Sequence, residues 1–295
     1  MVLIARLIAD TETLGDRLAV AMEEIEETGA EVVGAGMLDS NPDVLELEVD
    51  ECDAATLRRV LDAHFPDADL LIADAPITLP GLFVSDMDST MIGQECIDEL
   101  ADFAGLKAHI AAITERAMQG ELDFAAALRE RVGLLKGLSA ATIEQCLDER
   151  IRPMDGAATL VRTLKAHGAH CVLVTGGFHA FADTVAAALG FDRVVGNRLA
   201  VEDGVLTGHV IGDIVDSTVK RAVLVEEAER LGEGVVSLAT GDGANDIPMI
   251  RAATHGIAYR AKPKAREAAT GRIDRGDLTA ILDLYGIPRE RWVTH

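Results

Sequence analysis

Aromatic side chains are scarce in this sequence, because phenylalanine, tryptophan and tyrosine together make up only 3% of its 295 residues. The interior must therefore consist mainly of alanine, valine, leucine and isoleucine. Hydrophobic residues reach 49% and charged residues 26%, as in ordinary globular proteins. The length is sufficient for about two domains of roughly 150 residues each.

Positive charge is also scarce. The chain has 27 lysines and arginines against 50 aspartates and glutamates, which gives a formal net charge of −23. Such a surface repels nucleic acid and anionic membranes, so we expect neither of them as a partner.

Long apolar runs are missing. The most apolar stretch, Leu70–Val84, is interrupted by Asp74, Pro76 and Pro80, and no run reaches the ~18 apolar residues of a membrane span. Residues 1–10 contain neither a basic leader nor a small-residue cleavage site, so we expect no signal peptide.

Cysteines are few and scattered. The four positions are Cys52, Cys96, Cys146 and Cys171. Their spacing has no metal-type pairing, and we interpret them as reduced thiols in a cytoplasmic protein.

Residues 1–75 have the alternating pattern of a small α+β domain. The predicted elements are a strand at Leu3–Ala9, a helix at Leu14–Thr28, strands at Val32–Leu38 and Val44–Val49 around an Asn-Pro turn, a helix at Ala54–His64 and a strand at Leu70–Ala73. The order β-α-β-β-α-β is the ferredoxin-like arrangement. Two prolines, Pro76 and Pro80, then predict a linker at 76–81.

Residues 82–295 predict a second, α/β domain. It opens with a strand at Leu82–Ser85 and continues into a helical insertion, or cap, at about 93–150. Beyond it, the predicted strands are His170–Val174, Arg193–Val195, Val235–Ala239 and Gly256–Ala258, and the predicted helices are Gly156–His167, Ala180–Leu189, Ser217–Leu231 and Ala244–Ala252. Strand-helix alternation predicts a Rossmann-like parallel sheet with helices on both faces. Gly196–Val210 predicts a hairpin around Asp203 and Gly204.

Two aspartates follow the strand Leu82–Ser85. Residues two apart on an extended chain point the same way, so Asp86 and Asp88 would face one site at the carboxyl end of that strand. One carboxylate could attack phosphorus, and the other could protonate the leaving oxygen and then activate water. An isolated Asp-x-Asp is equally compatible with a solvated acidic turn.

A glycine-rich turn with more carboxylates spans Gly241–Asp246, which follows the predicted strand Val235–Ala239 and enters a predicted helix. Asp242 and Asp246 offer hard oxygen ligands of the kind that Mg²⁺ prefers. Taken alone, the turn is also an ordinary capped start of a helix. Together with Asp86 and Asp88 the pattern is far more specific.

Two further residues could handle a phosphate group. Thr175 precedes two glycines and a helix, where a hydroxyl and backbone N–H groups can hold a phosphate. Lys220 lies in the helix before the Gly241–Asp246 turn and could neutralise phosphoryl oxygens. A single lysine on a helix is usually a surface residue, so its case depends on the other motifs.

These motifs, in this order, resemble those of the haloacid dehalogenase superfamily from about Leu82 onward. The resemblance implies Asp86 as nucleophile and Asp88 as acid and base. It implies Thr175 as the phosphate-binding hydroxyl and Lys220 as the stabilising cation. It further implies a magnesium site made by Asp86, the backbone carbonyl of Asp88 and Asp242, supported by Asp246.

The predicted cap carries side chains that could select a substrate. Glu95 could bind an ammonium group, and Arg131 could bind a carboxylate in bidentate fashion. Met118 and Phe124 could close an apolar lid. Each of these residues alone is also explained as ordinary helix surface or core.

The cap positions, with the Gly-Gly-Phe that follows Thr175, resemble the phosphoserine phosphatase family. The resemblance implies that Gly176 and Asn245 also contact the substrate, and that the reaction is hydrolysis of O-phospho-L-serine, the last step of serine biosynthesis. This sequence departs from the family's pattern at Thr175, a position where the family more often has serine. One alternative function is that of a phosphatase or phosphotransferase acting on another small amino-acid phosphate, such as phosphohomoserine. Another is that of an amino-acid sensor with an inactive phosphatase domain.

The front domain, residues 1–75, resembles the ACT family of small-molecule-sensing domains in its topology. Such domains often pair between subunits and bind amino acids at the interface. The resemblance therefore implies a candidate homodimer and a candidate effector site, although turn chemistry explains the polar loop at 10–15 equally well.

Overall fold

The computed structural model describes residues 2–118 and 123–294, except for the side chains of residues 11–13, 115, 117 and 118. The strands are β1 (Leu3–Ile8), β2 (Glu31–Leu38), β3 (Asn41–Asp50), β4 (Asp69–Ala73), β5 (Leu82–Ser85), β6 (His170–Phe178), β7 (Arg193–Glu202), β8 (Val205–Ile211), β9 (Ser237–Gly241), β10 (His255–Tyr259) and β11 (Gly271–Ile273). They form one sheet in the order β2-β3-β1-β4-β11-β10-β9-β5-β6-β7-β8.

The helices are α1 (Thr11–Glu27), α2 (Ala54–His64), α3 (Cys96–Phe103), α4 (Lys107–Met118), α5 (Phe124–Leu134), α6 (Ala141–Arg150), α7 (Ala157–Ala166), α8 (His179–Leu189), α9 (Ser217–Leu231), α10 (Ile247–Ala252), α11 (Pro263–Ala268) and α12 (Ala280–Leu284). No helix in the described part of the chain is long and apolar enough to cross a lipid bilayer.

The front module, residues 2–75, has the element order β1-α1-β2-β3-α2-β4 and the antiparallel strand order β2-β3-β1-β4. This is the order of elements that the sequence predicts. Residues of β1 alternate between buried and half-buried, because one face of the strand packs on the two helices. Ile25 of α1 and Leu57 and Leu61 of α2 belong to that small core.

The turn between β2 and β3 differs from the prediction. It lies at Asp39 and Ser40, and Asn41 already pairs with Leu38 as the first residue of β3. The buried side-chain amide of Asn41 donates a hydrogen bond of 2.5 Å to Asp283. This contact, made across the fold, stabilises an extended asparagine at a position where local sequence favours a turn.

The centre of the sheet is parallel, in the order β11-β10-β9-β5-β6-β7. All residues of β5 are buried. Leu82 and Val84 pack into the cluster that contains Leu224, whereas Phe83 points into the larger cluster on the opposite face. The predicted Rossmann-like α/β core is therefore confirmed. Several details differ: β6 and β7 extend beyond their predicted ends, β9 begins two residues later than predicted, and β11 was not predicted.

Helices α3 to α6 interrupt the core between β5 and α7. The chain enters and leaves this stretch side by side, because Gly93 donates a backbone hydrogen bond to Arg152 and Met154 donates one to Met91. The β7–β8 hairpin, with its turn at Asp203 and Gly204 as predicted, packs against α5. The cap helices and this hairpin leave the core at two different points of the chain and contact each other through α5 and β8.

The front module joins the core through the sheet itself. Strand β4 pairs antiparallel with β11, with Leu70 opposite Arg272 and Leu71 opposite Gly271. Arg272 is fully buried, forms an ion pair with Asp62 and donates hydrogen bonds to backbone carbonyls of the front module.

Asp69 of β4 stabilises the same junction. Its carboxylate accepts hydrogen bonds of 2.8, 2.9 and 3.0 Å from the backbone N–H groups of Asp274, Arg275 and Gly276. The carboxylate is buried, and the loop after β11 therefore depends on a front-module side chain for its hydrogen bonds.

Candidate active site

Asp86 and Asp88 lie directly beyond β5 and line one cavity. The backbone N–H of Asp86 continues the pairing with β9 by donating 3.0 Å to the carbonyl of Thr240, so its position is fixed by the sheet. Asp86 is buried and Asp88 half-buried. The carboxylate of Asp88 accepts a 3.2 Å hydrogen bond from the backbone N–H of Cys96 at the start of α3.

Lys220 is brought to Asp86 by helix α9. It lies on the buried stripe of that helix, with Val223, Leu224 and Glu227 three, four and seven residues later. Its ammonium nitrogen is 2.7 Å from Asp86 Oδ1 and 2.7 Å from Asp246 Oδ1. The predicted cation is therefore buried beneath the aspartates.

The Gly241–Asp246 turn folds back on itself. Asp246 Oδ2 accepts a 3.0 Å hydrogen bond from the N–H of Gly243, and residues 244–246 form a 3₁₀ turn before α10 rather than the predicted continuous helix. A Cβ atom on Gly241 would overlap the Asp246 carboxylate. Glycine is thus required there by close approach, and the turn places Asp242 at the cavity wall.

Three carboxylates meet at this point. One oxygen each from Asp86, Asp242 and Asp246 lie within 4.8 Å of one another. Such a set of hard oxygen donors fits a divalent cation. The carboxylate of Asp88 is not in this cluster of described side chains, and its predicted contribution is a backbone carbonyl.

The charges in this cluster shift its pKa values. Burial, followed by the charge of Asp246, raises the pKa of Asp86 well above its ordinary value, and Lys220 opposes the shift. Burial and Asp246 likewise raise the pKa of Asp242 to about 6. Burial tends to lower the pKa of Lys220, but the charges of Asp246 and Asp86 outweigh it and raise the pKa. The site thus favours additional positive charge near the carboxylates.

Asp88 has a different environment from Asp86. Burial, followed by the charge of Glu95, raises its pKa to about 7, while the hydrogen bond from Cys96 acts in the opposite direction. Neutral and ionised forms are therefore both accessible near neutral pH, as general acid-base chemistry requires.

Thr175 lies in the carboxyl-terminal half of β6 and lines the same cavity as Asp88. Its hydroxyl is fully buried and accepts a 2.8 Å hydrogen bond from the N–H of Gly177. A Cβ atom on Gly177 would lie 2.8 Å from Asp88 Oδ2, so glycine permits this approach. The methyl group of Thr175, its difference from serine, faces Gly196 of the neighbouring strand β7.

The cavity above these residues has a volume of about 430 Å³. The predicted substrate-binding residues that line it are Glu95, Phe124, Arg131, Thr175, Gly176 and Asn245. Phe124 closes one side, since its ring lies 2.9 Å from where a Cβ of Gly176 would be. The side chain of Met118 lies outside the described residues.

Comparison with known proteins identifies the family. A family model described as haloacid dehalogenase-like hydrolase matches residues 83–251, more than half of the chain. The chain belongs to this family of hydrolases.

Relatives within the haloacid dehalogenase-like hydrolases extend the comparison. The phosphoserine phosphatase of Polaromonas sp. is 46% identical over 209 residues, which cover 69% of this chain and 89% of that protein. A haloacid dehalogenase family hydrolase from Salmonella enterica serovar Typhi has a solved structure with a TM-score of 0.80 at 29% identity, covering 97% of this chain and 99% of that one. The solved structure of a probable phosphoserine phosphatase from Vibrio cholerae has a TM-score of 0.75 at 30% identity, covering 98% of this chain and 88% of that one. Both structural matches include the front module.

Some cavity residues of this haloacid dehalogenase-like hydrolase were not predicted. Lys262 lines the cavity from the loop after β10, and its backbone N–H donates 2.9 Å to the carbonyl of Asp242. Gly177, Ile97 and Thr114 also line it. The available signal for Lys262 was its place just after a predicted strand, where parallel α/β sheets bind ligands.

Proposed function

We propose that this chain hydrolyses O-phospho-L-serine to L-serine and phosphate through an aspartyl-phosphate on Asp86. One observation carries the proposal. Asp86, which is paired with the buried ammonium group of Lys220, lines the same cavity as Glu95 and Arg131. The likeness to phosphoserine phosphatases described above supports the same substrate.

In the first step, a carboxylate oxygen of Asp86 attacks phosphorus and the bond from phosphorus to the serine oxygen breaks. Neutral Asp88 donates its proton to that oxygen, which leaves as the hydroxyl of serine. In the second step, water attacks phosphorus, gives a proton to ionised Asp88, and the bond to Asp86 breaks to release phosphate.

The phosphoryl group needs positive and hydrogen-bonding partners in an acidic protein. Lys220 supplies a buried ammonium group, and Thr175 supplies a hydroxyl from the carboxyl-terminal half of β6. Both groups are held before substrate arrives, so little reorganisation is needed as charge develops.

The cofactor that we propose is Mg²⁺, held by Asp86, Asp242 and the backbone carbonyl of Asp88, with Asp246 in support. The carboxylate cluster and the raised pKa values of Asp86 and Asp242 support this proposal, because a divalent cation offsets their repulsion. When bound, the ion would reduce the repulsion between the anionic nucleophile and the anionic phosphate.

The amino-acid end of the substrate would lie against the cap. Glu95 accepts hydrogen bonds from the ammonium group, and Arg131 binds the carboxylate. Burial lowers the pKa of Arg131, with Asp98 as the first opposing charge, and its Nε donates 3.4 Å to the carbonyl of Ala127. Phe124, Gly176 and Asn245 enclose the substrate carbon chain. The contact of Met118 with the substrate stays a prediction.

The experiment that tests the proposal is phosphate release from phosphoserine by the purified protein with magnesium present. We expect turnover by the wild type and none by Asp86→Asn. Asp203→Asn, an exposed change in the β7–β8 turn, is the matched control and keeps full activity. Absence of release by the wild type contradicts the proposal.

A panel of three substrates at one magnesium concentration tests which length of substrate carbon chain the protein prefers. Phosphoserine, phosphothreonine and phosphohomoserine share the ammonium and carboxylate groups and differ in the carbon chain. We expect the highest kcat/KM for phosphoserine. An inactive sensor would instead bind serine without turnover, and the paired Asp86 and Lys220 argue against it.

For the front module we propose an ACT-like role, with an amino-acid effector and pairing between two copies of the chain. The βαββαβ order and the strand order of the front module support it. The domain limits 1–75, 76–81 and 82–295, the cap at about 93–150 and the cytoplasmic location stay predictions.

A further inference from the structure

Ser89 has an unusual backbone conformation beside the nucleophile. It follows Asp88 in the turn that leaves β5, and its φ of 55° lies in the left-handed region. A residue with a Cβ atom is strained there, and strained residues cluster at functional sites. The backbone N–H of Ser89 donates 3.3 Å to the carbonyl of Gln94, which closes the turn.

This conformation directs the hydroxyl of Ser89 to Glu95. The Oγ atom donates a 2.7 Å hydrogen bond to Glu95 Oε1. Glu95 precedes α3 with extended backbone, and its side chain makes no capping hydrogen bond to the helix. Among the described residues, Ser89 is the hydrogen-bond donor to this carboxylate, and it occupies Oε1. The second oxygen, Oε2, is therefore available to a ligand.

Glu95 is otherwise an exposed side chain with several rotatable bonds. Fixing a free glutamate on binding costs side-chain entropy. A hydrogen bond that already holds Oε1 reduces this cost, as preorganisation does generally. Ser89 does not line the cavity, whereas Glu95 does, so Ser89 would act on a ligand only through Glu95.

We infer that Ser89 is a positioning residue for amino-acid recognition, because it orients the Glu95 carboxylate so that Oε2 accepts the ammonium group of the substrate. This inference rests on the proposed function. It assigns the strained turn after Asp88 a role in selecting substrate rather than in the chemistry at phosphorus.

The competing explanation is that Ser89 only completes a turn. Two substitutions separate these roles. Ser89→Ala keeps the Cβ atom and its strain but removes the hydroxyl, whereas Ser89→Gly removes the hydroxyl and relieves the strain. A turn role predicts that glycine performs better than alanine. A positioning role predicts that both lose the same selectivity.

The test measures kcat/KM for phosphoserine and for 3-(phosphonooxy)propanoate, which is the same molecule without the amino group. Both Ser89 variants should lose about tenfold for phosphoserine, or ~1.4 kcal/mol, mainly through KM. For the analogue they should stay within about twofold of the wild type. Equal losses for both substrates, or no loss, would overturn the inference.

A double-mutant cycle adds a second readout. If Ser89 acts through Glu95, then Ser89→Ala should have no further effect on phosphoserine in a Glu95→Ala background. Additive effects contradict the inference. A wild type that does not hydrolyse phosphoserine refutes the proposed function itself, whereas an active wild type with unselective Ser89 variants refutes only the role of Ser89.

Discussion

The ammonium nitrogen of Lys220 lies 2.7 Å from Asp86 Oδ1, in a site where both side chains are almost completely buried. The same nitrogen also binds Asp246. One buried cation thus separates two buried carboxylates that would otherwise repel each other. Removing one partner of such a group leaves an uncompensated charge, which is far more costly than losing an exposed ion pair.

We therefore predict that Lys220→Met abolishes activity and destabilises the metal-free protein by about 3–5 kcal/mol. The loss of activity reflects the missing charge at the phosphoryl oxygens. Urea denaturation in the presence of a chelator measures the stability, and phosphate release measures the activity.

The control for this prediction is the double variant Lys220→Met with Asp86→Asn. It removes one of the carboxylates that the lysine neutralises, and should recover part of the stability but no activity. A single Lys220→Met variant as stable as the wild type would show that the buried charges are compensated in another way.

The pKa of Asp88 predicts opposite pH dependences for the two chemical steps. A carboxyl group with a pKa of about 7 is neutral below that pH and ionised above it. Protonation of the serine oxygen requires the neutral form, so phosphorylation of Asp86 should slow as pH rises through about 7. Release of phosphate requires the ionised form and should slow as pH falls. Rapid-quench measurements of each step give the two profiles.

Glu95 provides the check on this assignment. Its charge raises the pKa of Asp88, so Glu95→Gln should lower that pKa and move both profiles to lower pH at saturating substrate. Profiles that do not move would indicate that a group other than Asp88 titrates.

The carboxylate cluster predicts a metal requirement. A chelator should abolish phosphate release, and added Mg²⁺ should restore it. Asp242→Asn should raise the magnesium concentration needed for half-maximal activity by more than about tenfold, since even outer-shell changes at metal sites cost ~10–100-fold. The variant should keep its fold by circular dichroism. An unchanged magnesium requirement would remove Asp242 from the ligand set.

The strand ends were the predictable part of the site. Asp86 directly follows β5, Asp242 directly follows β9, and Thr175 lies in the carboxyl-terminal half of β6. The carboxyl ends of parallel strands meet at one edge of a sheet. The spacing of Lys220, Val223 and Leu224 also predicts that this lysine is buried, because it places the lysine on the apolar stripe of its helix. The order of the motifs along the chain identifies the same lysine.

Other features depend on contacts between distant parts of the chain, which local patterns do not contain. Asn41 belongs to a strand because its amide binds Asp283. Strand β11 has only three residues and pairs with both β10 and the front module. Lys262 reaches the cavity from a loop whose course depends on these pairings.

The junction between the front module and the core predicts a stability effect without a catalytic one. Asp69→Ala removes the acceptor of three backbone N–H groups and should destabilise the protein by about 3 kcal/mol, with kcat unchanged in the folded fraction. Asp69→Asn keeps one acceptor oxygen, so its stability should lie between that of the wild type and that of Asp69→Ala. Exposed Asp67→Ala is the matched control, expected within ~0.5 kcal/mol of the wild type in urea denaturation.

The pairing of β4 with β11 has a consequence for how this protein tolerates variation. If the front module opens, the short strand β11 becomes a bare sheet edge, and Arg272 loses most of its hydrogen-bond acceptors. A bare edge invites pairing with other chains. Substitutions in the first 75 residues, remote from the chemistry, can therefore reduce the amount of enzyme in a cell through aggregation while leaving every surviving molecule fully active.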